Sequence, residues 1–250
     1  MSERSDDTAR IRLLRKTLTA TGAGIYLTTH LAGPIPAESM AAARESDELE
    51  LRLGRVGPDR PADLVLREQE ARAALAAAIG APFGEVVLAH GTADGARTVA
   101  LACLAQRSET AGRVVIVDGV EASVHGAIVS AASAVGLAVE VVASAPRILA
   151  NDVALVVLAA VDALGEIVDL PPVVAASRRV GARLLLDASL AAGAQPLRIR
   201  ETGADAIVAD VHHWLLGPEA VALVWLSPDL GEELPAALTA ASGPFGRGAL

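Results

Sequence analysis

The residues best equipped for chemistry sit late in the chain. Asp210-Val211-His212-His213-Trp214 sets a carboxylate two residues ahead of adjacent imidazoles, and a tight Gly217-Pro218 turn follows. Imidazole titrates near neutrality, so such a pair suits acid–base work or metal ligation. His30, His90 and His125, with a second carboxylate at Asp187, stand in other segments. Together with Asp210 they compose a candidate His/carboxylate metal set. Successive side chains on an extended chain point to opposite faces. His212 and His213 are therefore expected to diverge, and no metal site is expected. A third feature is Gly91-Thr92, between an apolar run and a helical pattern. A strand that turns into a helix N-terminus there offers free N–H groups and a favourable dipole to an anion.

The elements that must position these residues alternate regularly. Continuous apolar runs predict strands at Val86–Ala89, Val114–Asp118, Ala138–Val142, Leu155–Ala160, Arg183–Asp187, Ala206–Ala209 and Ala220–Leu226. Runs apolar on both faces are those of a sheet covered on both sides. Helical patterns fill the gaps: Arg60–Ile79 with Gly80 as its cap, a helix after Gly91 to about Ala105, Ser123–Val135 and Pro172–Val180. Alternating β and α at this spacing predicts an α/β fold, a three-layer αβα sandwich around a mainly parallel sheet. The last two strands are joined by a link too short for a parallel crossover, so Ala220–Leu226 is expected to run antiparallel to Ala206–Ala209.

The Asp210–Leu223 stretch resembles the class V aminotransferase family, which includes cysteine desulfurases and selenocysteine lyases and whose form there is roughly S-x-H-K-W-L-x-G-P-x-G-x-G. Tyr26-Leu27 with Gly33-Pro34 resembles its opening strand and loop. The resemblance covers roughly residues 24 to 230. It implies a pyridoxal phosphate (PLP) fold type I major domain over 24–230, with a mainly parallel seven-stranded mixed sheet in which Ala220–Leu226 is antiparallel to its neighbours, an N-terminal arm over 1–23, and a flexible tail over 231–250. Relatives continue into a smaller C-terminal domain, which is expected to be missing. The resemblance also implies a vestigial PLP site of Gly91, Thr92, Asp187 and His212. In it Asp187 matches the carboxylate that pairs with the pyridine nitrogen.

The catalytic position is where this chain departs from the pattern. His213 stands where the Schiff-base lysine belongs, and imidazole cannot form an aldimine. The only lysine is Lys16. Leu190 replaces a glutamine that donates to the ring oxygen, Ala122 a stacking histidine, and Asp210 a serine that helps hold the phosphate. Ala93, Arg97, Ala220 and Ala222 are further departures. No covalent cofactor is expected, and non-covalent PLP stays open.

Composition bounds the classes. Hydrophobic residues make up 52% and aromatics 2%, so the core is aliphatic. A net charge of −9 opposes nucleic-acid binding. The longest apolar run, Val153–Val161, is far short of the roughly 20 residues of a membrane span. A charged start without an apolar stretch predicts a cytoplasmic protein without a signal peptide. Cys103, alone in the chain, is expected to be a core residue. Two functional expectations result. One is a degenerate family member acting as a dimerising or regulatory partner, paired with itself or with an intact paralogue. The alternative is a PLP-dependent or repurposed enzyme in which His213 acts as acid or base.

Overall fold

The computed structural model describes residues 2–105, 112–162 and 164–233. In chain order the elements are α1 (Ser2–Thr17), α2 (Ala37–Leu53), α3 (Arg60–Ile79), β1 (Val86–Ala89), α4 (Thr92–Ala105), β2 (Arg113–Val117), α5 (Ala122–Ala134) and β3 (Ala138–Val142). They continue with β4 (Val153–Ala159), α6 (Leu170–Val180), β5 (Arg183–Asp187), β6 (Ala206–Asp210), β7 (Ala222–Leu226) and α7 (Pro228–Glu233).

The strands form one seven-stranded sheet in the order β1-β7-β6-β5-β4-β2-β3. β7 is antiparallel to both β1 and β6, and the other neighbours pair in parallel. The short Gly217-Pro218 link thus has the predicted consequence. β7 begins at Ala222 rather than Ala220, because Ala220 and Leu216 adopt positive φ in the connecting turn.

Both faces of the sheet are packed. Alternate residues of one strand serve opposite cores: Val156 and Leu158 join α3 and α6, while Leu155 and Val157 join α4, α5 and α7. Every residue of β4 is buried, which is why its sequence shows no polar alternation. Full burial of each Leu or Val in such a layer contributes about 1.5–3 kcal/mol. Cys103 lies in the second core, as expected. α3 and α6 end on left-handed glycines, Gly80 and Gly181, whose N–H groups cap the last turn.

α2 was not apparent from the sequence. It buries no residue, so it has no core-facing stripe for a periodicity to reveal. The stretch expected as an N-terminal arm is α1 and a 3-10 turn, Thr19–Gly22. From residue 234 onward the expected tail falls outside the described residues. Among the described residues no helix is long and apolar enough to cross a membrane. Trp225 on β7 is buried and donates from Nε1 to Glu85 Oε2 at 2.8 Å, tying β7 to the segment just before the edge strand β1.

Candidate functional site

The candidate residues meet at the C-terminal ends of β5 and β6, where α/β sheets open a crevice for ligands. Asp187 is the last residue of β5 and Asp210 the last of β6. Facing them are the N-termini of α4, with Thr92, and of α5, with Glu121 as its N-cap. Gly91 carries the turn into α4 with φ +84°.

Asp187 is held entirely by its own chain. Its Oδ1 accepts from the Ser189 N–H at 3.0 Å and the Ser189 hydroxyl at 2.7 Å, and Oδ2 accepts from the Glu121 N–H at 3.3 Å. Burial pushes its carboxyl above the usual range, and the Glu121 carboxylate adds to that push; the Ser189 and Glu121 hydrogen bonds oppose it. A carboxyl raised on folding favours the fold below its ordinary range and loses that contribution as pH rises through the folded value. Relative to Asp187→Asn, the parent is therefore expected to lose stability as pH rises from about 4 to about 8. A thermal melt series across pH checks it; a gap that does not change with pH would show that burial of this charge costs nothing.

Ser189 was missed in the sequence. A Ser two residues after an Asp at a strand end is a side-chain turn signal that could have found it. It also accepts from the Asp210 N–H at 3.2 Å, so one hydroxyl couples the ends of the two strands.

Thr92 is buried, and its hydroxyl lies 3.1 Å from Asp210 Oδ2 and 3.2 Å from Glu121 Oε2. A hydroxyl has one hydrogen to donate, so it can satisfy only one of these carboxylates at a time. Ser123 donates to Glu121 Oε2 at 2.8 Å. The helix N-terminus that suits an anion is therefore faced by two carboxylates of the chain itself.

Beyond Asp210 the backbone bends instead of remaining extended. The expectation that His212 and His213 diverge is corrected here: their rings sit 4.1 Å apart, tilted by 35°. His212 Nδ1 lies 3.7 Å from Asp210 Oδ1, and His213 Nε2 lies 3.9 Å from Asp210 Oδ2. Burial lowers the His213 pKa, and the neighbouring His212 lowers it further. Asp210 and Glu121 pull it up by less, as does the Thr29 backbone, so His213 is neutral at pH ~7. His90, His125 and His30 do not join this group; the His90 N–H donates to Asp94 in the first turn of α4.

Two glycines let other backbone close on the histidine loop. The Gly33 N–H donates to His212 O at 2.7 Å, and a Cβ there would run into the carbonyls of His212 and His213. Gly193, at φ +88°, would place a Cβ 2.7 Å from the Trp214 carbonyl. Trp214 itself is partly exposed.

The model of the family "Aminotransferase class-V" matches residues 52–242, well over half of the chain. The chain belongs to this family. Among solved structures, this class-V family chain is similar to C-DES, determined as a mutant with glycine covalently linked to the PLP cofactor. There the TM-score is 0.74 at 19% identity, covering 88% of this chain and 61% of that one. It is also similar to the cysteine desulfurase CsdA of Escherichia coli, with TM-score 0.73, 18% identity and coverage of 89% and 59%. Against the cysteine desulfurase of Thermococcus onnurineus NA1 the values are 0.69, 20%, 89% and 58%. At these identities the likeness concerns the fold, which is that of PLP fold type I. The chain spans about three fifths of the length of these structures. No curated protein matches it.

Proposed function

We propose that this class-V family chain does not perform Schiff-base chemistry and serves as a dimerising partner, pairing first with a second copy of itself. An intact paralogue is the other candidate partner, and the cytoplasm its place of action. Residues 24–230 act in this reading as the family's major domain. The observation that carries it is Thr92 held between the Asp210 and Glu121 carboxylates at the helix N-terminus where a phosphate would sit. The residues present do not fit PLP. A phosphate there meets two like charges, the neutral imidazole of His213 supplies no amine, and Lys16, on α1, is exposed.

Exposed apolar side chains support the pairing. Ile25, Leu27, Leu31 and Ile35 stand open to solvent on the segment that Gly33 ties to the histidine loop. Such surface commonly marks an interaction site. Sedimentation at tens of micromolar (an order-of-magnitude choice) is expected to give a dimer. A clean monomer that also forms no complex with an intact class-V enzyme overturns the pairing.

The closeness of neutral His213 to Asp210, 3.9 Å, favours a second reading, in which the pocket is a repurposed acid–base site. Any turnover that His213→Gln abolishes without unfolding the chain would select this alternative.

A further inference from the structure

We propose that Asp210, His212 and His213 form a binding site for one divalent transition-metal ion of the zinc type. The proposal rests on the reading above only in that no phosphate-bearing cofactor fills the pocket. It departs from the expectation drawn from sequence alone because the chain bends after Asp210.

One ligand atom from each of the three residues can be chosen so that all lie within 4.8 Å of one another. The Asp210 oxygens stand 3.7 Å from His212 Nδ1 and 3.9 Å from His213 Nε2. Both gaps are too long for hydrogen bonds. Ligand atoms around tetrahedral zinc lie about 3.3 Å apart, from metal–ligand lengths of about 2.0–2.1 Å. With the widest separation at up to 4.8 Å, closing the cluster on one ion takes side-chain shifts of up to about 1.5 Å.

The second observation is polar groups left without partners. His212 Nδ1 and His213 Nδ1 are both buried and make no hydrogen bond of ordinary geometry, the Thr29 backbone being a polar group that acts on His213. The His213 side chain is only 10% exposed and directs Nε2 toward Asp210. Buried ring nitrogens without partners are costly unless something else satisfies them. An ion on His212 Nδ1 would satisfy one directly.

Thr92 supplies a third argument. Its single proton cannot serve both Asp210 and Glu121. A cation on Asp210 neutralises that carboxylate, leaving the Thr92 proton for Glu121. Thr92 and Glu121 then form the outer shell that orients the ligands. Two imidazoles with one carboxylate suit zinc and its transition-metal neighbours, whereas magnesium and calcium take all-oxygen sites. Three protein ligands leave a coordination position open to water or a small ligand.

The test uses the untagged full chain, stripped with a chelator and titrated with Zn²⁺ by calorimetry and with Co²⁺ by visible absorption. One ion per chain is expected to bind, with Co²⁺ giving the intense d–d bands of a low-symmetry site. His212→Gln, His213→Gln and Asp210→Asn are each expected to weaken binding by at least about 10- to 100-fold, the range known for loss of an outer-shell partner alone. His125→Gln is expected to leave it unchanged. His212 carries the more exposed ring, so His212→Gln decides the matter where the variants at buried positions fail to fold. No saturable binding by the parent, or equal affinity in His212→Gln, overturns the proposal. A separate PLP titration of the stripped protein tests the reading above, so the two failures are distinguishable.

Discussion

His213→Lys alone is expected to leave the protein colourless with PLP, and His213→Lys combined with Asp210→Ser to gain about a thousandfold in PLP affinity. The single substitution supplies an amine, but the carboxylate of Asp210 still faces the phosphate. Two such charges about 4 Å apart repel by about 4 kcal/mol at an effective dielectric near 20, close to three decades in affinity. Glu121 adds to the repulsion because it shares Thr92 with Asp210. Leu190→Gln as a third change restores a donor to the ring oxygen and is expected to help further, with a smaller gain than removal of Asp210. The measurement is absorbance of the internal Schiff base during PLP titration of the three variants, followed by assay with cysteine and alanine. A single variant that turns yellow at micromolar PLP and turns over substrate would mean that the carboxylates do not block the seat.

Gly193→Ala is expected to cost about 3 kcal/mol of folding stability and to displace the histidine loop. The backbone at Gly193 has φ +88°, where a Cβ costs roughly 1–2 kcal/mol. The new methyl would also meet the carbonyl carbon and oxygen of Trp214 at 2.7 Å and the Leu215 nitrogen at 3.0 Å. These are backbone atoms and cannot swing aside as a side-chain end can. Gly181 provides the comparison, since it too has positive φ but a Cβ there meets nothing within 4 Å. Gly181→Ala is expected to cost only about 1 kcal/mol. Urea unfolding of both variants separates the two contributions. Equal losses would mean that the approach of Trp214 to Gly193 carries no weight.

Sheet and helices could be read from the sequence because their signals are local and strong. The nine-residue apolar run around β4 admits little but a strand covered on both faces. The short Gly217-Pro218 link admits only an antiparallel partner for β7. Near the site the reading was less complete, for two physical reasons. Side-chain direction for His212 and His213 was inferred for an extended chain, and one bend after Asp210 brings both rings to the same carboxylate. The Ser189 bridge and the Thr92–Glu121 bond join residues 21 and 29 positions apart in the chain, so no local spacing announces them. Asp187, singled out through the family resemblance, closes the expected strand Arg183–Asp187, and its oxygens are engaged by Ser189 and Glu121.

The chain contains two tryptophans, and their surroundings could hardly differ more. Trp225 is sealed in the core against Glu85, while Trp214 is 37% exposed and follows His213 directly. Their emission should therefore divide into a blue component, insensitive to aqueous quenchers until the sheet opens, and a red one that iodide reaches in the native state. With Trp225 replaced by Phe, the remaining signal becomes a reporter placed beside the histidine pair. Ion binding, loop displacement and global unfolding could then each be followed by intrinsic fluorescence, without attaching any label.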